Sequence, residues 1–115
     1  MTLTLALSYG SREEILFAVK QISEKVKNST ISITDINESL LSQHLYTHDL
    51  PDVDLVIRTS GEQRISNFLL WQSAYAEFYF TDVLWPDFRE KDLKEAIISY
   101  QKRERRFGKT SEQVK

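Results

Sequence analysis

The nineteen residues from Asp54 to Gln72 constrain the fold more than any other stretch of this chain. Leu55 to Ile57 are apolar and suit a short buried strand. Gly61 and its polar neighbours then break the strand, and Asn67 to Gln72 read as a turn or two of helix. Two arginines, Arg58 and Arg64, flank the turn, with hydroxyls at Thr59, Ser60 and Ser66 around them. Guanidinium forks supply paired donors to an anion with several oxygens. Hydroxyls and free amides at a helix start add more, and the Ser60-Gly61 pair lets the backbone approach closely. In open α/β sheets ligands bind beyond the carboxyl ends of strands, where Arg58 falls. Arg58 alone would suit a structural salt bridge equally well. Arg58, Arg64 and Ser66 together point to anion binding.

The rest of the chain alternates strands and helices. Leu3 to Leu7 read as a buried strand, and Ser11 with Glu14 as a capping box. Ile15, Val19, Ile22 and Val26 recur at helical spacing, so residues 12–27 are predicted to form an amphipathic helix. Asn28 to Thr30 is a loop. Thr34 is expected to cap a second helix carrying Ile36, Leu40, Leu41 and Leu45, and His48 to Pro51 to connect it onward. Val53 to Thr59 is a second strand and Glu77 to Thr81 a third. Trp85-Pro86-Asp87 ends the third strand. A last helix is predicted over 89–107, with Leu93, Ala96, Ile97 and Tyr100 inward. The fold class is therefore α/β, a partial parallel sheet with flanking helices. Residues 1–108 form one domain, and 109–115 are expected to be a disordered tail.

Composition excludes several classes of function. With no cysteine among 115 residues, disulfides and thiolate metal sites are ruled out. No apolar run approaches the length of a membrane span, and without a basic n-region or a cleavage site the first residues are not expected to be a signal peptide. Cytoplasmic residence without nucleic acid is the expectation. The net charge of −2 is uneven. Residues 89–115 hold nine Lys/Arg and five Asp/Glu, or +4, which leaves −6 for the remainder. The basic run Lys102 to Arg106 suits either a solvated helix face or a phosphate contact.

Glu77 sits at the edge of an aromatic segment, where a carboxylate is costly unless paired or metal-bound. It suits a Mg²⁺ ligand completed by substrate oxygens, a salt bridge to Arg58 or Arg64, or plain exposure. Glu62 in the same turn would orient an arginine. His44 and His48 have a helical metal spacing, but Asp49 and Pro51 beside them favour a loop. Eight of the thirteen aromatics fall between Phe68 and Phe88, as in a core, a subunit interface or an apolar groove.

Asp54-Leu-Val-Ile-Arg-Thr-Ser-Gly-Glu62, Arg64-Ile-Ser-Asn-Phe-Leu-Leu-Trp-Gln72, Tyr75-Ala-Glu77 and Trp85-Pro-Asp-Phe88 closely resemble the C-terminal signature of the cis-prenyltransferases. Among these the chain is most similar to the bacterial undecaprenyl diphosphate synthases. Leu5 to Arg12 resembles a strand-to-helix segment of that family, with Ser8 for its usual Asn and Ser11 for a Gly. Arg103 to Gly108 resembles its C-terminal end. The likeness covers the C-terminal half of such an enzyme. The family's Asp-Gly-Asn loop, which carries its main Mg²⁺ aspartate, has no counterpart here.

The resemblance implies an enzyme, a prenyltransferase of isoprenoid biosynthesis. It implies condensation of isopentenyl diphosphate with an allylic diphosphate such as farnesyl diphosphate, using Mg²⁺, to make a lipid carrier for peptidoglycan precursors. By motif, Arg58, Arg64, Ile65 and Ser66 would hold isopentenyl diphosphate, and Glu77 would ligate Mg²⁺. Arg106 and Gly108 would reach a neighbouring subunit of a homodimer. The lipid product would bring the enzyme to a membrane surface without a transmembrane segment. None of these residues is a catalytic acid or base, and the chain alone is expected to be inactive. An accessory or dimerisation subunit of a prenyltransferase complex is the alternative, and a generic phosphate-binding module is a third reading.

Overall fold

Ser11–Lys27 form α1, the longest helix of a computed structural model that describes residues 1–113. These residues divide into two units. One holds Met1–Pro51 with Ser66–Trp71; the other holds Asp52–Ile65 with the described residues from Gln72 onward.

In the first unit α1 meets the short helix Glu38–Gln43, α2. The buried stripe of α1 is not the predicted one. Ser11, Glu14, Ala18 and Ile22 are buried, whereas Val19 is exposed and Ile15 and Val26 are half-buried. Polar partners explain the shift. The Glu14 carboxylate accepts from the Tyr9 hydroxyl at 2.5 Å and the Tyr46 amide at 2.7 Å. The Ser11 hydroxyl oxygen accepts from the Leu70 amide at 2.9 Å. A buried carboxylate is tolerable when bonded in this way, and it draws its side of the helix inward. The Ser11–Glu14 capping box therefore does not form, and Gly10 is the cap residue. Asn67 closes the helix start instead. Its carbonyl accepts from Ser11 N at 2.8 Å and its side-chain oxygen from Arg12 N at 2.9 Å.

Three further expectations change in this unit. Residues 3–7 form no strand, and Leu3, Leu5 and Leu7 are 83%, 78% and 83% exposed. An extended segment becomes a strand only when a neighbour takes its backbone groups, and none does so among the described residues. Asn37, not Thr34, caps α2, accepting from Leu40 N at 2.8 Å. Thr34 lies in a 3-10 turn, Ile33–Asp35, capped by Ser32. Residues 67–72 form turns rather than helix. Ser66, Asn67 and Leu69 have φ of 53°, 61° and 48°, a left-handed conformation that a right-handed helix excludes.

The second unit contains a parallel pair, β1 (Leu55–Arg58) and β2 (Glu77–Phe80), with Leu55 opposite Glu77 and Arg58 opposite Phe80. The sheet has two strands where three were predicted. After a 3-10 turn at Trp85–Asp87, α3 runs over Glu90–Gln101 against β2. It stops six residues short of the predicted end. Beyond it, Arg103 and Arg105 are drawn onto partners at the start of the strands, a geometry that a continuing helix would not allow. Its buried residues are Asp92 and Ala96; Leu93 and Ile97 are exposed and Tyr100 is half-buried. Asp92 turns inward because its carboxylate accepts from Arg89 N at 2.8 Å.

The parallel α/β character, the loops at 28–30 and 48–51, and the break at Trp85 agree with the sequence. No helix among the described residues is long and apolar enough to cross a membrane. In the predicted tail, turns close at Lys109 N to Arg106 O and at Gln113 N to Thr110 O. Its last two residues, 114 and 115, lie outside the described residues.

Candidate functional site

β1 delivers Arg58 to its carboxyl end, and the chain then turns sharply. Ser60 and Gly61 have φ of 63° and 71°. Ser60 N donates to Val83 O at 2.8 Å and Gly61 N to Thr81 O at 2.9 Å. These two amides are thus committed to the segment after β2 and are not free for an anion. Glycine serves the turn by its backbone conformation, and a Cβ at position 61 would stand 3.1 Å from an Asp82 oxygen.

The arginines are what the turn leaves for a ligand. Arg58 Nη1 donates to the Arg64 carbonyl at 2.7 Å, which ties the head of the first arginine to the backbone of the second. A guanidinium has five N–H groups in a fixed fork, so Arg58 keeps donors beyond that bond. Arg64 Nε lies 3.2 Å from Glu62, with the arginine side chain 75% exposed. Exposed pairs of this kind are weak, so a multivalent anion competes for Arg64 readily. Glu62 thus orients an arginine, as its position suggested. Ile65 is exposed next to Arg64. Ser66 belongs to the first unit, where its left-handed φ begins the turns that follow. The helix start expected there does not exist, so the anion site cannot draw on free helical amides at Ser66.

Glu77 opens β2, and the register sets it apart from Arg58. It pairs with Leu55, three residues from Arg58, or about 10 Å along the strands. Successive side chains alternate faces, so Glu77 and Arg58 also emerge on opposite faces of the pair. The partner of Glu77 is neither Arg58 nor Arg64 but Arg103, 3.4 Å away. Its carboxylate is a suitable hard donor for Mg²⁺. Among the described residues no cluster of three His, Cys, Asp or Glu offers a cage, His44 and His48 included.

The basic run after α3 is neither a helix face nor a free phosphate patch. Arg103 Nη1 also donates to the Phe78 carbonyl. Arg105 Nη1 donates to Asp54 at 2.7 Å and to the Tyr100 hydroxyl at 3.1 Å, and Nη2 to the Tyr75 carbonyl at 2.9 Å. Its guanidinium lies 4.4 Å from the centre of the Phe107 ring. Asp54 beside it raises the pKa of Arg105 above the ordinary arginine value, followed by the Tyr100 bond, against the opposing effect of burial. Arg106 is different. It is 59% exposed and only loosely paired with Glu104 at 3.4 Å. Gly108, at φ 79°, follows it in a turn that bonds Lys109 N to Arg106 O.

The sequence reading missed the inward role of Arg105, and Asn67 as a remote helix cap. Asparagine's tolerance of left-handed backbone was a usable signal for the second; a charge run carried none for the first.

Residues 1–108 match the family model of undecaprenyl diphosphate synthase, a prenyltransferase family. The chain is 60% identical over 110 residues to a (2E,6E)-farnesyl-diphosphate-specific ditrans,polycis-undecaprenyl-diphosphate synthase of Haemophilus influenzae, covering 96% of this chain and 46% of the relative. It is 56% identical over 108 residues to an isoprenyl transferase of Clostridium perfringens, covering 94% and 43%. The crystal structure of lavandulyl diphosphate synthase from Lavandula x intermedia, in complex with dimethylallyl diphosphate, superposes with a TM-score of 0.88 at 48% identity, covering 91% of this chain and 45% of that one. The chain spans about half the length of the curated relatives it matches. With nearly all of its length inside the family match, this chain belongs to the undecaprenyl diphosphate synthase family of cis-prenyltransferases.

Proposed function

We propose that the turn after β1 is the isopentenyl diphosphate grip of a cis-prenyltransferase that builds undecaprenyl diphosphate from farnesyl diphosphate. One observation carries this reading: Arg58 is fixed by its bond to Arg64 O while the Arg64 head stays exposed. Two guanidinium groups are thereby held on one turn at the carboxyl end of a strand. The names of the relatives support the choice of substrates.

The chemistry asks for positioning. An allylic diphosphate ionises when its leaving charge is neutralised, and the alkene of isopentenyl diphosphate must then lie in line with the carbocation. Arg58 and Arg64 would clamp the diphosphate of the incoming unit and set that line. Neither exchanges a proton. Mg²⁺, when bound, would supply charge neutralisation at the leaving group. Its assignment to Glu77 rests on the motif alone, as do the roles of Ile65, Ser66, Arg106 and Gly108. Pairing with a second copy likewise comes from the family resemblance, and cytoplasmic residence from the composition.

Calorimetric titration of isopentenyl diphosphate tests the grip. Arg58→Ala should weaken binding by roughly 10- to 100-fold, as expected when a charge-assisted bond in a preformed site is lost. Lys102→Ala should change it little. Equal losses would remove the assignment. The isolated chain should not incorporate radiolabelled isopentenyl diphosphate, because the grip alone ionises nothing; measurable turnover would refute this.

A further inference from the structure

Phe17, Gln21 and Lys25 recur every four residues along α1 and so share one side of the helix. With His44, Leu45 and Tyr46 they line a cleft of about 550 Å³ in the first unit, within the range of small-molecule pockets. Its two ends differ. At one end the Phe17 and Tyr46 rings lie 5.7 Å apart, tilted by 47°. At the other end Lys25 Nζ lies 2.8 Å from His44 Nε2. His44 Nδ1 lies 2.8 Å from the Leu40 carbonyl. A carbonyl can only accept, so Nδ1 carries the proton and Nε2 accepts from the lysine. This bond orients the ammonium group without neutralising it.

No carboxylate lines the cleft, and among the described residues Lys25 has no ion-pair partner. His48 also lines it and leans on Asp49 at 3.1 Å, with both side chains exposed. The buried Glu14 stands one turn before Phe17 and holds the Tyr46 amide. The Glu14 carboxylate therefore lies behind the aromatic end, and the Lys25 ammonium lines the other. Eight residues of helix separate Phe17 from Lys25, or about 12 Å.

We propose that this cleft binds a small aromatic anion of the aryl phosphate type, its ring against Phe17 and Tyr46 and its charged head on Lys25. Its residues belong to the first unit, and the arginines of the diphosphate grip to the second. Phenyl phosphate and inorganic phosphate, titrated into the full chain by calorimetry, test it. Phenyl phosphate should bind more tightly than inorganic phosphate. Lys25→Met should weaken phenyl phosphate about tenfold or more and Lys25→Arg should restore it. Tyr46→Ala should abolish the preference for the ring. Arg58→Ala should leave binding unchanged. Unaltered affinity in a Lys25→Met chain with native circular dichroism would overturn the proposal, as would equal affinity for the two anions or a loss that follows Arg58→Ala instead. Should Lys25→Met not fold, backbone amide shifts in the native chain decide. Phenyl phosphate shifts centred on Lys25, His44 and Tyr46 support the site, and shifts elsewhere refute it.

Discussion

Arg103 and Arg105 turn onto Glu77, Asp54 and the carbonyls of Phe78 and Tyr75, whereas Arg58 and Arg64 leave most of their donors unclaimed. Both pairs lie in the second unit; from sequence the first suited a solvated helix face or a phosphate contact, and the second anion binding. What separates them is the number of partners already in place. A guanidinium with three protein acceptors and a ring under it holds the fold. One with a single carbonyl, or with one exposed carboxylate, is available to a ligand.

Arg105→Ala should give the largest effect on stability, about 2–3 kcal/mol in urea titration, because it strands the Tyr75 carbonyl and removes a charge-assisted bond. Arg58→Ala should lower stability by less than about 1 kcal/mol while impairing diphosphate binding. A reversed order would break the distinction between the two pairs. Gly61→Ala comes next, at about 1–2 kcal/mol, because its left-handed φ and the nearby Asp82 oxygen both oppose a Cβ. Its loss of stability should bring a loss of diphosphate affinity, since the turn presents both arginines.

A last effect extends the same rule to a phenol. Burial, then the bond to Glu14, push the Tyr9 pKa from 10.0 up to about 12. A group whose folded pKa is raised contributes its full stability below the unfolded pKa and loses it as pH climbs through the folded value. The Tyr9–Glu14 bond should therefore hold in full below pH 10 and fade between pH 10 and about 12. Tyr9→Phe should lower stability by about 1 kcal/mol at neutral pH and flatten the alkaline slope. Denaturation at a series of alkaline pH values reads both.

Local pattern made much of this legible. The apolar run before Arg58, the stop at Trp85-Pro86 and the periodicity of α1 each gave an element within a few residues, and that of α3 gave its start. Two of the errors share a cause in long-range polar bonds. Glu14 and Ser11 rotate α1 because of Tyr46 and Leu70, far along the chain. The helix expected at Asn67 yields to left-handed turns that bring Asn67 O and Oδ1 onto the start of α1. In the candidate site, the turn and its arginines were readable from residue type. The opposed faces of Arg58 and Glu77 were not, because strand register is set by pairing and not by the segment itself.

Asn67 caps a helix that begins 56 residues before it, and the bond to Arg12 N spans 55. A chain emerging from a ribosome would expose α1 long before its cap exists. Until Asn67 and Leu70 arrive, the first amides of that helix are left to water. Contacts of such wide sequence separation slow folding, because a long loop must close before they form. The first unit thus completes its opening helix only after all of the second unit's β1 has been made, and a chain cut before Asn67 should fray at Ser11.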